Sequence, residues 1–497
     1  MSKLLAFRAN VQQWMFEQIT LRKLDSPLGY GLAALVAIFI GSAWALGGAM
    51  LGIVSLGVFF AIPMVLMCMF FTNIGMGVML GMGFLVVAAV KYSDAPLGTS
   101  LDGLLLLMLA GMLVIQTRKH NWAFVKDPIS TWLLIWIYYN VFQVLNPWAQ
   151  SSMAWLYTVR SVAVLNVLYY IACFAFSSLK NIKNIMKWIV ILTTITMIYG
   201  YFQEFNGMNA FERQWLYSDK ERAQLYMQWG RLRVFSLLSD PMTFGIMMCY
   251  MGAFCIVMAS APIKIWKRIS LAIVGAMMLV VTAFTGTRTC YVLIPAGFIF
   301  YAFMTMSRRV WIFIAFFMMV GTVLVLKSTS NPIIYRIQSA FKPNKDASAQ
   351  LRYFNQKRIR PYIYERPIGS GLGSTGLWAQ RFTPNTFLAS FAHDSYYVRL
   401  AVETGWIGLI IYMIFAFILM RRAIFFYNRV RDPIIKHLYL GLITALFILF
   451  LANYPQEAIV QLPTSMMVYV FFAALVRLKD FDPHYQEITK KINDLKS

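Results

Sequence analysis

Three of the four histidines, His120, His437 and His484, fall in segments that carry the lysine and arginine excess. The fourth, His393, stands beside Asp394 where a long polar stretch gives way to an apolar run. A neutral imidazole can take a proton from a hydroxyl near neutral pH, and a carboxylate can do so with different tuning. The neighbours are thus alternative candidates for a general base, against a plainer surface or capping role. Arginines form the second set. Arg231 and Arg233 lie in Gly230-Arg-Leu-Arg-Val-Phe-Ser236, and Arg288 lies in Thr285-Gly-Thr-Arg-Thr289. Between Ser328 and Asp394 come Arg336, Lys342, Lys345, Arg352, Lys357, Arg358, Arg360, Arg366 and Arg381, against Asp346, Glu365 and Asp394. That excess invites an anionic partner. A planar guanidinium offers paired donors to phosphate oxygens, although an arginine at a membrane edge can also simply snorkel. Tyr353, Tyr362, Tyr364, Trp378, Tyr396 and Tyr397 are candidate sugar platforms or interfacial anchors.

Two other patterns exclude chemistry. The five cysteines, Cys68, Cys173, Cys249, Cys255 and Cys290, sit in or beside apolar runs with no paired spacing, so neither a disulfide framework nor a metal site is expected. Pro367-Ile-Gly-Ser-Gly-Leu-Gly-Ser374 looks like a phosphate loop but lacks the lysine; its glycines suit tight turns and close backbone approach.

The elements that must position these residues follow from composition. Of 497 residues, 60% are hydrophobic and only 13% charged, which no aqueous fold could accommodate. The expectation is an all-α, polytopic transmembrane bundle. Apolar runs near 29–48, 50–71, 74–91, 101–116, 129–147, 158–177, 188–204, 236–260, 268–285, 290–306, 310–327, 396–419, 438–453 and 460–476 give about fourteen spans. The net charge of +24 is first a topology signal and not one for nucleic acid, because Lys and Arg collect in alternate short connectors. That bias puts both termini in the cytoplasm of a bacterial-type inner membrane. Residues 1–28 are expected to form an interfacial helix, 29–476 the transmembrane domain and 477–497 a cytoplasmic tail. Two outward loops, about 203–239 and 327–396, are too long to be mere connectors, and the larger is expected to be partly helical.

Taken in order, Arg231-Leu-Arg-Val-Phe-Ser-Leu-Leu-Ser-Asp-Pro-Met-Thr-Phe-Gly245, Thr285-Gly-Thr-Arg-Thr289, Asp346-Ala-Ser-Ala-Gln-Leu-Arg352, Pro367-Ile-Gly-Ser-Gly-Leu-Gly373 and His393-Asp-Ser-Tyr-Tyr-Val-Arg-Leu-Ala-Val-Glu-Thr-Gly-Trp-Ile-Gly408 resemble the O-antigen ligase and O-antigen polymerase superfamily over about residues 230–415. The resemblance implies an enzyme that takes a glycan from a polyprenyl diphosphate carrier at the periplasmic face and passes it to an acceptor hydroxyl. Neither nucleotide sugar, cofactor nor metal is implied. It assigns diphosphate binding to Arg233, Arg288 and Arg352, with Arg231 beside them, and the base to the histidine. Members of the family more often have Asn, Ser or Gln after that histidine, and a glycine eleven positions beyond it. Here Asp394 follows, and counting back eleven from Gly405 reaches Asp394, so the base stays divided between His393 and Asp394. Tyr396, Tyr397 and Arg360 are the expected glycan contacts.

The resulting expectation is a polymerase of surface or exopolysaccharide. Its donor and acceptor are undecaprenyl-diphosphate-linked glycans, and its partners are membrane lipids, a chain-length regulator and other assembly proteins. A ligase acting on lipid A core is the nearest alternative. A lipid-linked glycan flippase is the alternative of another class, but it should show paired halves and polar groups at mid-membrane, of which there is little sign.

Overall fold

A computed structural model describes residues 27–92, 97–119, 122–228, 230–326, 338, 347–391, 393 and 395–487. The N-terminal 26 residues, where the interfacial helix is expected, most of 327–346, Asp394 and the last ten residues lie outside the described set. Two units are distinguished, Met1–Met67 and Cys68–Ser497. The described part of the first lies in helix α1 (Pro27–Phe70), which runs on into the second unit and is interrupted by non-helical backbone at Gly48. That break falls at the separator expected between the first two apolar runs.

Among its described residues the regular structure of the second unit is helical apart from one hairpin of two-residue strands. Its membrane-length helices are α2 (Thr72–Ala89), α3 (Gly98–Lys119), α4 (Pro128–Phe142), the broken pair α5 (Ser152–Val162) and α6 (Val167–Ala175), and α7 (Leu179–Asn206). Short α8 (Ala210–Tyr217) and α9 (Lys220–Tyr226) precede the hairpin of Met227–Gln228 and Arg231–Leu232. Then come α10 (Pro241–Ala259), α11 (Ile265–Val281), α12 (Arg288–Thr305) and α13 (Arg308–Leu326). The larger loop holds α14 (Ala347–Glu365) and α15 (Gly376–Phe382), and α16 (Tyr396–Glu403) leads into α17 (Gly405–Arg429), α18 (Pro433–Ala452) and α19 (Thr464–Arg477). Ten segments among the described residues are long and apolar enough to cross a membrane. The four other expected runs, 29–48, 50–71, 310–327 and 460–476, coincide with α1, α13 and the fourteen-residue α19. The chain is an integral membrane protein of helical type.

Helix α10 is the hub, apolar all round and buried along nearly its whole length. It packs on α11, α12 and α18. Small residues let it approach α11: a Cβ on Gly252 would lie 3.1 Å from the Gly275 carbonyl oxygen, and one on Gly275 2.9 Å from that of Gly252. Helices α4 and α17 form an antiparallel pair tied at both ends. At one, Asp127 Oδ2 takes Arg422 Nη2 at 2.8 Å and Lys479 Nζ at 2.9 Å. At the other, the Tyr139 hydroxyl donates to the Thr404 carbonyl at 2.6 Å. This second end carries the candidate site.

Candidate functional site

Helix α16 is held against the end of α18 by backbone polarity. The Tyr396 N–H donates to the Asn453 and Gln456 carbonyls at 3.1 and 3.3 Å, and the Tyr397 hydroxyl donates to the Phe450 carbonyl at 2.8 Å. Asn453 Oδ1 in turn accepts from the Ile459 N–H at 3.1 Å, shaping the connector between α18 and α19. That docking brings Glu457, on the connector, to His393, with Oε1 2.7 Å from Nε2. Among the described residues Nε2 has no hydrogen-bond partner beyond this contact.

Arg399 completes the cluster. Its Nη1 is 2.8 Å from Glu457 Oε2 and its Nε 3.2 Å from Glu403 Oε1, one helical turn along α16. Thr375 donates to Glu403 Oε1 at 2.6 Å. Burial works against the Glu457 charge, but Arg399 and the contact with His393 outweigh it and hold the carboxyl down at about 2. Glu457 therefore stays anionic through neutral pH beside the imidazole.

The loop before α15 wraps the same helix. Ser370 and Gly371 donate their N–H groups to the Val402 and Glu403 carbonyls at 2.9 and 3.0 Å. Those donors are thus spent on protein, which removes them from any phosphate cradle. Gln143 and Asn146, at the end of α4, both donate to the Ile368 carbonyl at 3.0 Å. Gly405, at φ +74, is packed so that a Cβ would lie 1.9 Å from the Pro367 carbonyl oxygen, which only glycine permits.

Two cavities meet at the pair. One, about 360 Å³, is lined by Asp240, Thr243, Gln380 and Gln456; the other, about 380 Å³, by Ser161, Trp378, Tyr396, Arg399 and Glu403. His393, Glu457, Gly376 and Gln461 line both. These volumes fall within the ~300–1,000 Å³ of small-molecule sites.

Arg233 reaches the first cavity's neighbourhood through the α11–α12 turn. Its Nε donates to the Thr285 carbonyl at 3.0 Å and its Nη2 to Thr287 Oγ1 at 3.4 Å, while Thr287 donates to the Pro241 carbonyl at 3.3 Å. Pro241 adjoins Asp240 of the cavity wall, and Arg288 directly follows Thr287. Lys91 braces this segment from beneath, with Nζ donating to the Ser236 carbonyl at 2.8 Å and 4.3 Å from the Phe235 ring centroid. Burial lowers its ammonium to about 7, with Glu212 and Asp240 pulling the other way.

Other expected residues are more scattered. Arg231 Nη2 pairs with Glu204 Oε1 at 2.6 Å, and Arg360 is exposed on α14. The backbone of Arg352 lies on α14, but its side chain, like Asp394, lies outside the described set. Tyr396 lines a cavity, and the Tyr397 hydroxyl is occupied by Phe450. Tyr353 and Tyr364 are exposed. Sequence reasoning missed Glu457 and Thr375, and it gave no individual role to Arg399 and Glu403, which it quoted only within the motif. A usable signal was there for Glu457: it is a lone acid in a short connector that topology places on the same face as His393.

No protein among those with curated descriptions matches the chain. Residues 273–413, from within α11 to within α17, match the model of the O-antigen ligase family. That segment, under a third of the chain, contains Arg288, Arg352 and His393, and its match supports the resemblance to the O-antigen ligase and polymerase superfamily, a glycosyl-transfer type of enzyme.

Proposed function

We propose that the chain polymerises polyprenyl-diphosphate-linked repeat units into surface or exopolysaccharide at the periplasmic face of the inner membrane. The growing chain on its carrier is the donor, and one repeat unit on a second carrier is the acceptor. The observation that carries this reading is the His393–Glu457 pair facing two cavities at once. A transfer between two glycans needs one base where two substrates meet.

In this scheme the acceptor hydroxyl oxygen attacks the donor's anomeric carbon as the bond from that carbon to the diphosphate breaks. The hydroxyl proton passes to His393, and Glu457 balances the positive charge the ring acquires. Asp394 is the alternative base. The departing diphosphate carries its electron pair and negative charge to Arg233 and Arg288, with Arg352 and Arg231 as further candidates; fixed guanidinium groups can stabilise such developing charge. Tyr396 and Trp378 offer apolar faces to sugar rings in the second cavity. Arg360 and Tyr397 remain as outer contacts.

The experiment is glycan transfer in proteoliposomes from a lipid-diphosphate-linked repeat unit, comparing the intact chain with His393→Ala and Asp394→Ala. Ladder-like products abolished by one substitution support polymerisation and identify the base. A single transfer to lipid A core without a ladder favours ligation. Lipid-linked units crossing the bilayer with no new glycosidic bond would overturn the enzyme reading.

A further inference from the structure

A third cavity, about 280 Å³, lies on the other side of the 367–375 loop from the catalytic pair, and Leu372 lines both it and the second transfer cavity. Its wall includes Ser151, Tyr362, Arg366, Ser374, Thr386 and Phe387. The Arg366 guanidinium is 3.5 Å from the centroid of the Tyr362 ring, and the Tyr362 hydroxyl accepts from Ser370 Oγ at 2.9 Å, so the cation is held flat. Yet Arg366 Nη1 and Ser374 Oγ are both buried without a hydrogen-bond partner. Buried polar atoms are normally paired, and leaving them unpaired is costly. Both atoms belong to residues that line this one small cavity, and each is left without the partner a ligand could supply.

We propose that this cavity binds an acidic sugar residue of the glycan, its carboxylate taken by Arg366 and a neighbouring hydroxyl by Ser374. The inference rests on the glycan-transfer reading for its biological substrate. Three features select the ligand. Arg366 is the only charged residue among the described residues that line the cavity, which fits one carboxylate better than a diphosphate. The remaining lining is rich in hydroxyl and amide groups, which suits sugar hydroxyls, and Tyr362 and Phe387 supply the flat apolar surfaces a sugar ring covers. The volume sits near the lower end of small-molecule sites, which suits one ring held beside a longer chain. The cavity adjoins the transfer site without containing a proton acceptor of its own, so it acts in selecting and orienting a glycan.

The test uses the purified full chain in lipid nanodiscs, with a glucuronic-acid-containing disaccharide, its neutral glucose counterpart and inorganic phosphate as probes, read by calorimetry or saturation-transfer NMR. The acidic disaccharide is expected to bind, and Arg366→Gln to weaken it by about tenfold or more. Ser374→Ala should weaken binding severalfold with a melting temperature no lower than the parent's, because an unpartnered hydroxyl contributes nothing to the ligand-free fold. His393→Ala should bind the probe as the parent does. Equal binding of acidic and neutral probes, displacement by an equal concentration of phosphate, or full binding by Arg366→Gln at parental melting temperature would each overturn the proposal. Failure of transfer with retained, Arg366-dependent binding would sink the catalytic reading and leave this one standing.

Discussion

His393 Nε2 lies 2.7 Å from Glu457 Oε1, across the gap between the start of α16 and the connector that follows α18. Arg399 holds the far oxygen of the same carboxylate at 2.8 Å. The anion is therefore fixed in place before any substrate arrives. Replacing Glu457 with Gln keeps the shape and removes the charge. We expect a fall in kcat of about tenfold to a hundredfold with KM little changed, at or below the lower end of a general-base contribution, as fits a group that acts through the base. Single-turnover transfer in proteoliposomes reads this directly, and unchanged kcat would remove Glu457 from the mechanism.

The same carboxyl sets an acid limit on stability. Its folded value, about 2, lies below the ordinary value of 4.5, so the unfolded chain binds more protons between those pH values. The stabilisation is complete above about 4.5 and is lost as pH falls through about 2. By linkage it is of the order of 3 kcal/mol. Thermal melts of parent and Glu457→Gln should converge across that window; a constant gap would refute the pairing.

Lys91 gives a second rise of stability with pH, in a higher window and from a charge that the fold disfavours. Its folded value of about 7 lies below the ordinary 10.5, and the cation is the form that burial disfavours. Protonation therefore costs folding energy below about 7, and stability recovers as pH rises towards 10.5. The parent should gain melting temperature over that interval while Lys91→Met stays flat. Parallel curves would show that the ammonium does not feel its burial.

Arg231 and Arg233, two positions apart, should separate cleanly. Arg231 is half exposed and paired with Glu204, a surface contact worth under about 1 kcal/mol. Arg233 is tied to the Thr285–Thr287 turn that leads to Arg288. Arg231→Ala should leave transfer within about threefold of the parent, and Arg233→Ala should lower it by an order of magnitude or more. Equal losses would mean that both reach the diphosphate.

Gly405→Ala is expected to fail structurally. The left-handed backbone alone costs about 1–2 kcal/mol for a residue with a Cβ, and the overlap with the Pro367 carbonyl adds to it. Lower melting temperature and lost transfer should appear together; a stable, active variant would show that the loop can move aside.

Much of this was legible in the sequence because hydropathy is written locally. The apolar runs became helices, Gly48 interrupts α1 where a separator was expected, and His393 was the one histidine outside the cation-rich connectors. Glu457 could be picked out as the lone acid of its connector, but its pairing with His393 could not be read, because that depends on the α16–α18 docking, a set of backbone bonds with no periodic signature. Arg399 and Glu403 were read within the family motif, but their link to Glu457 lies between distant segments. Arg231 and Arg233 looked equivalent in sequence, and Glu204, at the end of α7, distinguishes them.

The double tie between α4 and α17 has a mechanical consequence. A pair of rods fastened at Asp127–Arg422 and again at Tyr139–Thr404 cannot scissor. In the proposed reaction, widening of the cavities to admit two substrates then falls to their own wall, which α4 and α17 do not line. The lightest part of that wall is α15, seven residues long, whose Trp378 and Phe382 lie stacked on Tyr157 of α5. Stacked rings slide past one another with less resistance than a shared carboxylate gives way, so the bundle has a fixed jamb on one side and a leaf that can swing on the other.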